Sequence, residues 1–168
     1  MKIVLGADHR GFQGKERLKG FLLDQGHEVL DCGSDSSKSS DYPDFAIPAC
    51  LRVTGGQAER AILLCGTGIG MSITANKVAG IRAALCHDEL SAEISRRHNN
   101  ANVLCLPADL LGDELVRRMV EVWLSTPFDG GRHARRINKV MAAERHLDPT
   151  ANEAAKTSAP QKRTAKSK

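Results

Sequence analysis

The chain has 168 residues, 41% of them apolar, enough for one domain with a sizeable core. Its net charge is +4, but Lys156, Lys162, Arg163, Lys166 and Lys168 against Glu153 put the whole excess after Pro149, and the balanced remainder speaks against a nucleic-acid-binding domain. No apolar run approaches the roughly 18 residues of a membrane span, and MKIVLGADHRGF lacks the long apolar stretch and cleavage site of a secretory signal. A soluble, cytoplasmic domain over residues 1–148 is expected, followed by a basic, disordered tail over 149–168 rich in Ala, Lys, Thr and Ser.

In chain order, Lys2–Ala7 reads as a short buried strand. Phe12–Gln25 reads as a helix with Leu18, Phe21 and Leu22 at helical spacing, stopped by Gly26. His27–Cys32 is a second strand, and a Ser- and Asp-rich loop follows it with Pro43 at its exit. Phe45–Val53 is a helix ended by Thr54-Gly55-Gly56. Arg60–Cys65 is too short and apolar for a surface helix and reads as the third strand. Gly70–Val78 is a helix, Ile81–Cys86 a fourth strand, and Asp88 the N-cap of a helix running to Arg97. Val103–Leu106 is the fifth strand. Asp113–Leu124 is a helix with Leu115, Met119, Val122 and Trp123 on one face, and Arg132–Arg145 a last helix.

Five alternations of strand and helix predict an α/β fold, a doubly wound, five-stranded parallel sheet with helices on both faces plus a C-terminal helix. Ligands bind such sheets at the carboxyl ends of the strands. That directs attention to Asp8-His9-Arg10, Gly33–Asp44, Cys65–Gly70, His87-Asp88 and Pro107–Asp109. Cys32, Cys50, Cys65, Cys86 and Cys105 contain no CxxC and no paired spacing with His, which argues against a disulfide framework and against structural zinc. Most of them read as small buried apolar residues.

Cys65-Gly66-Thr67-Gly68-Ile69-Gly70 is the most informative segment. A cysteine ends a buried strand where a glycine-rich turn opens a helix. Backbone N–H groups there can converge on an anion, and a helix start favours thiolate over thiol. A thiolate beside such a loop can remove a proton next to a carbonyl while the loop holds the enediolate. The plainer reading is a buried cysteine before an ordinary phosphate loop. The pattern GxGxG after the third strand is not the dinucleotide fingerprint, and GxxxxGK[ST] is absent, so no nucleotide cofactor and no metal are expected. Asp8 and His9 offer an acid and an imidazole, or Asp8 caps the next helix with Arg10 in solvent. His98 at a helix C-terminus is either an acid or a cap of the last carbonyls. Arg132 and Arg136, spaced i, i+4, form a phosphate clamp or a solvated face.

Together, GADHRGF, SDYPDFA, AILLCGTGIGMSITANKVAGIRAALC, SRRHNNANVL and GGRHARRI resemble the type B ribose-5-phosphate isomerase family, which includes galactose- and allose-6-phosphate isomerases. The resemblance covers residues 1–146. It implies a doubly wound fold and a homodimer, or a tetramer, with sites built across the subunit interface and no cofactor. It also implies Cys65 as the base between C1 and C2, Gly66, Gly68, Ile69 and Gly70 in the anion hole, and Thr67 assisting. Asp8 and His98 would open the ring; His9, Arg132 and Arg136 would hold the phosphate; Tyr42 and Asn99 would line the sugar. Where a second branch of the family carries a glutamate base, this chain has Met71. Where the family has a phosphate-facing arginine after the fifth strand, it has Asp109, which must turn away, pair with an arginine, or mark another substrate. The expected reaction is ribose 5-phosphate to ribulose 5-phosphate. The alternatives are the same chemistry on a hexose or tetrose phosphate, a non-catalytic phospho-ligand-binding module, and a nucleic-acid role for the tail.

Overall fold

Alternation of buried strands and amphipathic helices produces eleven elements among residues 1–147, which are those the computed structural model describes; the tail expected over 149–168 lies outside them. They are β1 (Lys2–Ala7), α1 (Phe12–Asp24), β2 (Glu28–Asp31), α2 (Pro43–Thr54), β3 (Arg60–Cys65), α3 (Ile69–Ala75), β4 (Ala83–Leu85), α4 (Glu89–Asn99), β5 (Val103–Pro107), α5 (Asp113–Ser125) and α6 (Gly131–Leu147). The strands form one parallel sheet in the order β2-β1-β3-β5-β4.

Strand residues alternate between the two faces, and both faces are apolar, as a sheet covered on both sides requires. Ile3, Leu5, Ile62, Leu64, Leu104 and Leu106 pack under α1, α4 and α5. Val4, Ala61, Leu63, Cys65, Val103 and Cys105 pack under α2 and α3. The expected three-layer, doubly wound α/β fold is therefore present. The chain leaves β1 toward β2 on one side, while β3 lies on the other, so the carboxyl edge of β1 and β3 is a switch point where a crevice opens.

Several boundaries differ from the sequence expectation, each for a local reason. α2 starts at Pro43 rather than Phe45, since a proline in the first turn surrenders an N–H that has no partner anyway. α3 stops at Ala75 rather than Val78. There Asn76 turns its side chain to Ser72 O and Ala83 O, at 3.0 Å each, and accepts Ala83 N–H at 3.0 Å. β4 is an edge strand paired with β5 and shrinks to three residues. The buried face of α5 is Val116, Met119, Val120, Trp123 and Leu124, an i, i+3, i+4, i+7, i+8 stripe; Leu115 and Val122 fall at its margin. Asp88 caps α4 as expected, accepting Ser91 N–H at 2.6 Å in a capping box.

Candidate active site

Cys65 is the last residue of β3, 4% exposed, with its side chain on the α3 face of the sheet. Its carbonyl accepts Ala108 N–H at 2.9 Å, and the Gly66 carbonyl accepts Asp109 N–H at 3.0 Å. The loop after β3 is thus zipped to the exit of β5. Its three glycines are needed for three different reasons. Gly66 lies where a Cβ would stand 2.5 Å from Asp109 Oδ2 and 2.9 Å from Arg10 Nε. Gly68 has φ +72° and would strike Leu85 Cδ1 at 2.5 Å. Gly70 makes room for the Tyr42 ring, whose Cζ would be 2.8 Å from an added Cβ. Thr67 and Ile69 point outward, and Thr67 Oγ1 accepts Ile69 N–H at 3.4 Å. The result is a strip of bare backbone running away from the Cys65 sulfur.

The turn after β1 closes the other side of the crevice. Asp8 is 5% exposed, and its Oδ1 accepts the N–H groups of Arg10 and Gly11 at 2.9 and 3.0 Å. It therefore fastens the turn ahead of α1 rather than capping the helix, whose N-cap is Gly11 without a side-chain cap, and spends one carboxylate oxygen on that turn. His9 is fastened to Ser40 in the loop before α2. Arg10 is exposed but not unpaired: its Nε donates to Asp109 Oδ2 at 2.5 Å. That hydrogen bond and charge raise the Arg10 pKa further above its already high ordinary value. Of the three possibilities open for Asp109, pairing with an arginine is the one adopted.

His98, Asn99, Arg132 and Arg136 occupy a different place. α4 begins at the carboxyl edge and runs back for 11 residues, about 16 Å at 1.5 Å per residue. Beyond it, Asn102 O accepts Ala61 N–H at 3.0 Å, at the opposite end of β3 from Cys65. The last carbonyls of α4, which His98 could have capped, are met by other donors: Asn100 N–H bonds Arg96 O, Asp129 N–H bonds Arg97 O, and Arg82 donates to Asn99 O. His98 stacks on His133, ring centroids 4.1 Å apart and planes within 5°, with Asp129 4.0 Å from its Nε2. Arg97 bonds Asp129 at 3.3 Å, and Arg132 Nε donates to His133 Nε2 at 3.4 Å. Burial, together with His98, Arg132 and Arg136, pushes the His133 imidazole below its ordinary value, against the opposing pull of Asp129.

The expected residues thus fall into two groups at opposite edges of one sheet. Asp8, His9, Tyr42, Cys65 and the loop Gly66–Gly70 form one; His98, Asn99, Arg132 and Arg136 form the other. Donor atoms of His98, Asp129 and His133 lie within 4.8 Å of one another. Parallel stacked rings cannot both aim a lone pair at one ion, however, and three arginines flank the cluster, so it suits an anion better than a metal. Ser40, Asp129 and His133 were not singled out by sequence reasoning. Ser40 stands in a loop of near-equivalent serines, and His133 sits between the two arginines that drew notice.

All five cysteines are free. Burial pushes the Cys50 thiol up to about 12 and also raises Cys86 and Cys105, which fits their expected role as packing residues.

Among the described residues no helix is long and apolar enough to cross a membrane. The family model for Ribose/Galactose Isomerase matches residues 3–140. Ribose-5-phosphate isomerase B of Escherichia coli is 45% identical over 143 residues, covering 85% of this chain and 96% of that protein. D-erythrulose-4-phosphate isomerase of Pectobacterium atrosepticum is 41% identical over 141 residues, 83% of this chain and 93% of that one. The solved structure of Clostridium thermocellum ribose-5-phosphate isomerase B superposes with a TM-score of 0.87 at 44% identity, covering 88% of this chain and all of that one. With a match across most of its length, the chain belongs to the ribose/galactose isomerase family, and so to the aldose–ketose isomerases.

Proposed function

We propose that this chain interconverts ribose 5-phosphate and ribulose 5-phosphate as a homodimer, with Cys65 as the base and without a cofactor. The observation that carries this reading is the Cys65 sulfur at the root of the bare-backbone loop Gly66–Gly70, where a developing oxyanion meets N–H donors instead of side chains. The substrate assignment rests on the name of the Escherichia coli relative. Five free thiols suit a reducing, cytoplasmic setting.

The two residue groups at opposite edges of the sheet support a site shared between subunits, since a two-fold partner can bring its His98 edge to face Cys65. Exposed Ile69, Ile73 and Val140 provide apolar surface for that contact. In this arrangement Asp8 takes the proton from the sugar's O1 while His98 of the partner subunit protonates the ring oxygen, which opens the ring. The Cys65 thiolate then removes the proton from C2, and the N–H groups of Gly66, Gly68, Ile69 and Gly70 hold the enediolate oxygen. Thr67 passes the O2 proton to O1, and Cys65 returns its proton to C1. His9, with Arg132 and Arg136 from across the interface, holds the phosphate, and Tyr42 and Asn99 flank the carbon chain.

A tetrose 4-phosphate is the second reading, favoured by the Pectobacterium relative's name. An assay across tetrose, pentose and hexose phosphates ranks the substrates by kcat/KM. Cys65→Ala should lower kcat by at least about 100-fold and abolish exchange of the substrate's C–H proton with D₂O. Retention of both would refute Cys65 as the base.

A further inference from the structure

We infer that Arg10, aimed by Asp109, is a phosphate-binding cation of this site, so that the substrate's anionic end is met from the turn after β1. This rests on the sugar-phosphate isomerase reading above and adds a residue to it.

The root of Arg10 is fixed. Its own N–H and that of Gly11 are held by buried Asp8, and Gly11 packs so closely on β3 that a Cβ would lie 2.5 Å from Leu64 O. The far end is fixed as well. Asp109 engages Nε, and Asp109 is itself tied to the loop through its N–H on Gly66 O. The guanidinium is therefore stretched over Gly66, the residue next to Cys65, with Nε 2.9 Å from the place a Cβ would occupy. Using Nε for the carboxylate leaves the Nη edge, with its pair of parallel N–H vectors, for a bidentate partner such as a phosphate monoester.

Charge points the same way. Without Arg10, the carboxylate of Asp109 would stand over an anion-binding loop and repel a dianion. With it, the pair is neutral and its cationic edge faces outward. An ion pair this exposed contributes little to stability, so its consequence lies in the field at the loop. The same reasoning makes Asp109 a positioning residue, acting on substrate only through Arg10.

The test measures binding apart from turnover. A non-isomerisable aldonic acid 5-phosphate, and the same aldonic acid without phosphate, are titrated calorimetrically into the full chain and its variants. Arg10→Met should weaken the phosphorylated ligand by about tenfold or more, with no change for the unphosphorylated one, while the melting temperature holds. Arg10→Lys should retain part of the affinity, and Arg10→Met/Asp109→Asn should regain part of what Arg10→Met loses, because the repelling carboxylate is gone. In turnover, Arg10→Met should raise KM with kcat nearly unchanged. Phosphate-ligand affinity within twofold of wild type in Arg10→Met, or equal loss for both ligands, overturns the role of Arg10 and leaves the isomerase reading standing. A wild type that binds the phosphate ligand but isomerises nothing sinks that reading instead.

Discussion

Ser40 grips His9 at two points. Its hydroxyl accepts the His9 backbone N–H at 3.1 Å, while its own backbone N–H and carbonyl sit 3.2 and 3.1 Å from His9 Nδ1. When Nδ1 accepts the Ser40 N–H, the proton of the neutral ring stands on Nε2, which faces away from Ser40 as a donor toward an anion; the tautomer with its proton on Nδ1 donates to the Ser40 carbonyl and leaves Nε2 an acceptor. Ser40→Ala removes the hydroxyl and leaves the His9 N–H unpaired, a loss of about 1 kcal/mol. We expect KM to rise about 3- to 10-fold with kcat nearly intact, and faster exchange of the His9 amide. An unchanged KM would show that the grip has no bearing on binding.

The loop glycines should respond unequally to alanine. At Gly70 the new Cβ meets the Tyr42 ring, which is 41% exposed and free to swing away. Gly70→Ala should therefore raise KM while costing under about 1 kcal/mol of stability. At Gly68 the Cβ meets Leu85 and the backbone of Leu106 at 3.1 Å, and φ of +72° is unfavourable besides. Gly68→Ala should cost about 1–3 kcal/mol and most of the activity. Paired urea titrations and kinetics on the two variants check the contrast.

Periodicity makes the scaffold readable because each strand carries its own evidence. Arg60–Cys65 is bounded by polar residues and glycine and fits nothing but a buried strand, and its bounds are those observed. On α5 the expected Met119 and Trp123 lie on the buried stripe while Leu115 and Val122 fall at its margin, since they are as apolar as Val116 and Val120 and only packing chooses between them. The glycine loop announced itself through composition. Arg10 and Asp109 could not, because they lie 99 residues apart and meet only when β1, β3 and β5 are neighbours in the sheet. The same holds for the stack of His98 on His133, which requires α6 to fold back over the end of α4.

Lys15 is buried beneath the loop after β2, with its ammonium 2.8 Å from Asp31 and 2.7 Å from Glu16. Burial alone would raise the Asp31 carboxyl, but the hydrogen bonds from Lys15, Gly33 N–H and Lys19 outweigh it, so its pKa lies below the ordinary value. Burial likewise pulls Lys15 down, and its bonds to Asp31 and Glu16 bring it above its ordinary value. A depressed carboxyl contributes stability present above its unfolded pKa and lost as pH falls through the folded one. A raised ammonium contributes stability that is lost as pH climbs through its own folded value. The pair's contribution is therefore fully present between the ordinary carboxylate range and the ordinary lysine range and falls away on either side. Asp31→Asn should cost about 1–3 kcal/mol at neutral pH and flatten the acid limb of the stability curve. Urea melts of both proteins from pH 3 to pH 8 measure this, and parallel acid limbs would contradict it.

Separation of Cys65 from His98 along β3 and α4 makes a sharper demand on the proposed homodimer. Within one chain, the Cys65 edge and the His98 edge face opposite ways. A shared site therefore takes one residue from each subunit. Cys65→Ala and His98→Asn homodimers should each be nearly inactive, since every site lacks one of the two. In a heterodimer of the variants, one site inherits both defects and the other neither. Mixing the two after mild unfolding should therefore restore about one quarter of wild-type activity, because half the dimers are mixed and each has one whole site. If Cys65 and His98 served one subunit's site together, every site in the mixture would carry a defect and no activity would return. Subunit exchange followed by a single isomerisation assay distinguishes the two arrangements, and failure to recover activity despite demonstrated exchange would exclude the shared site.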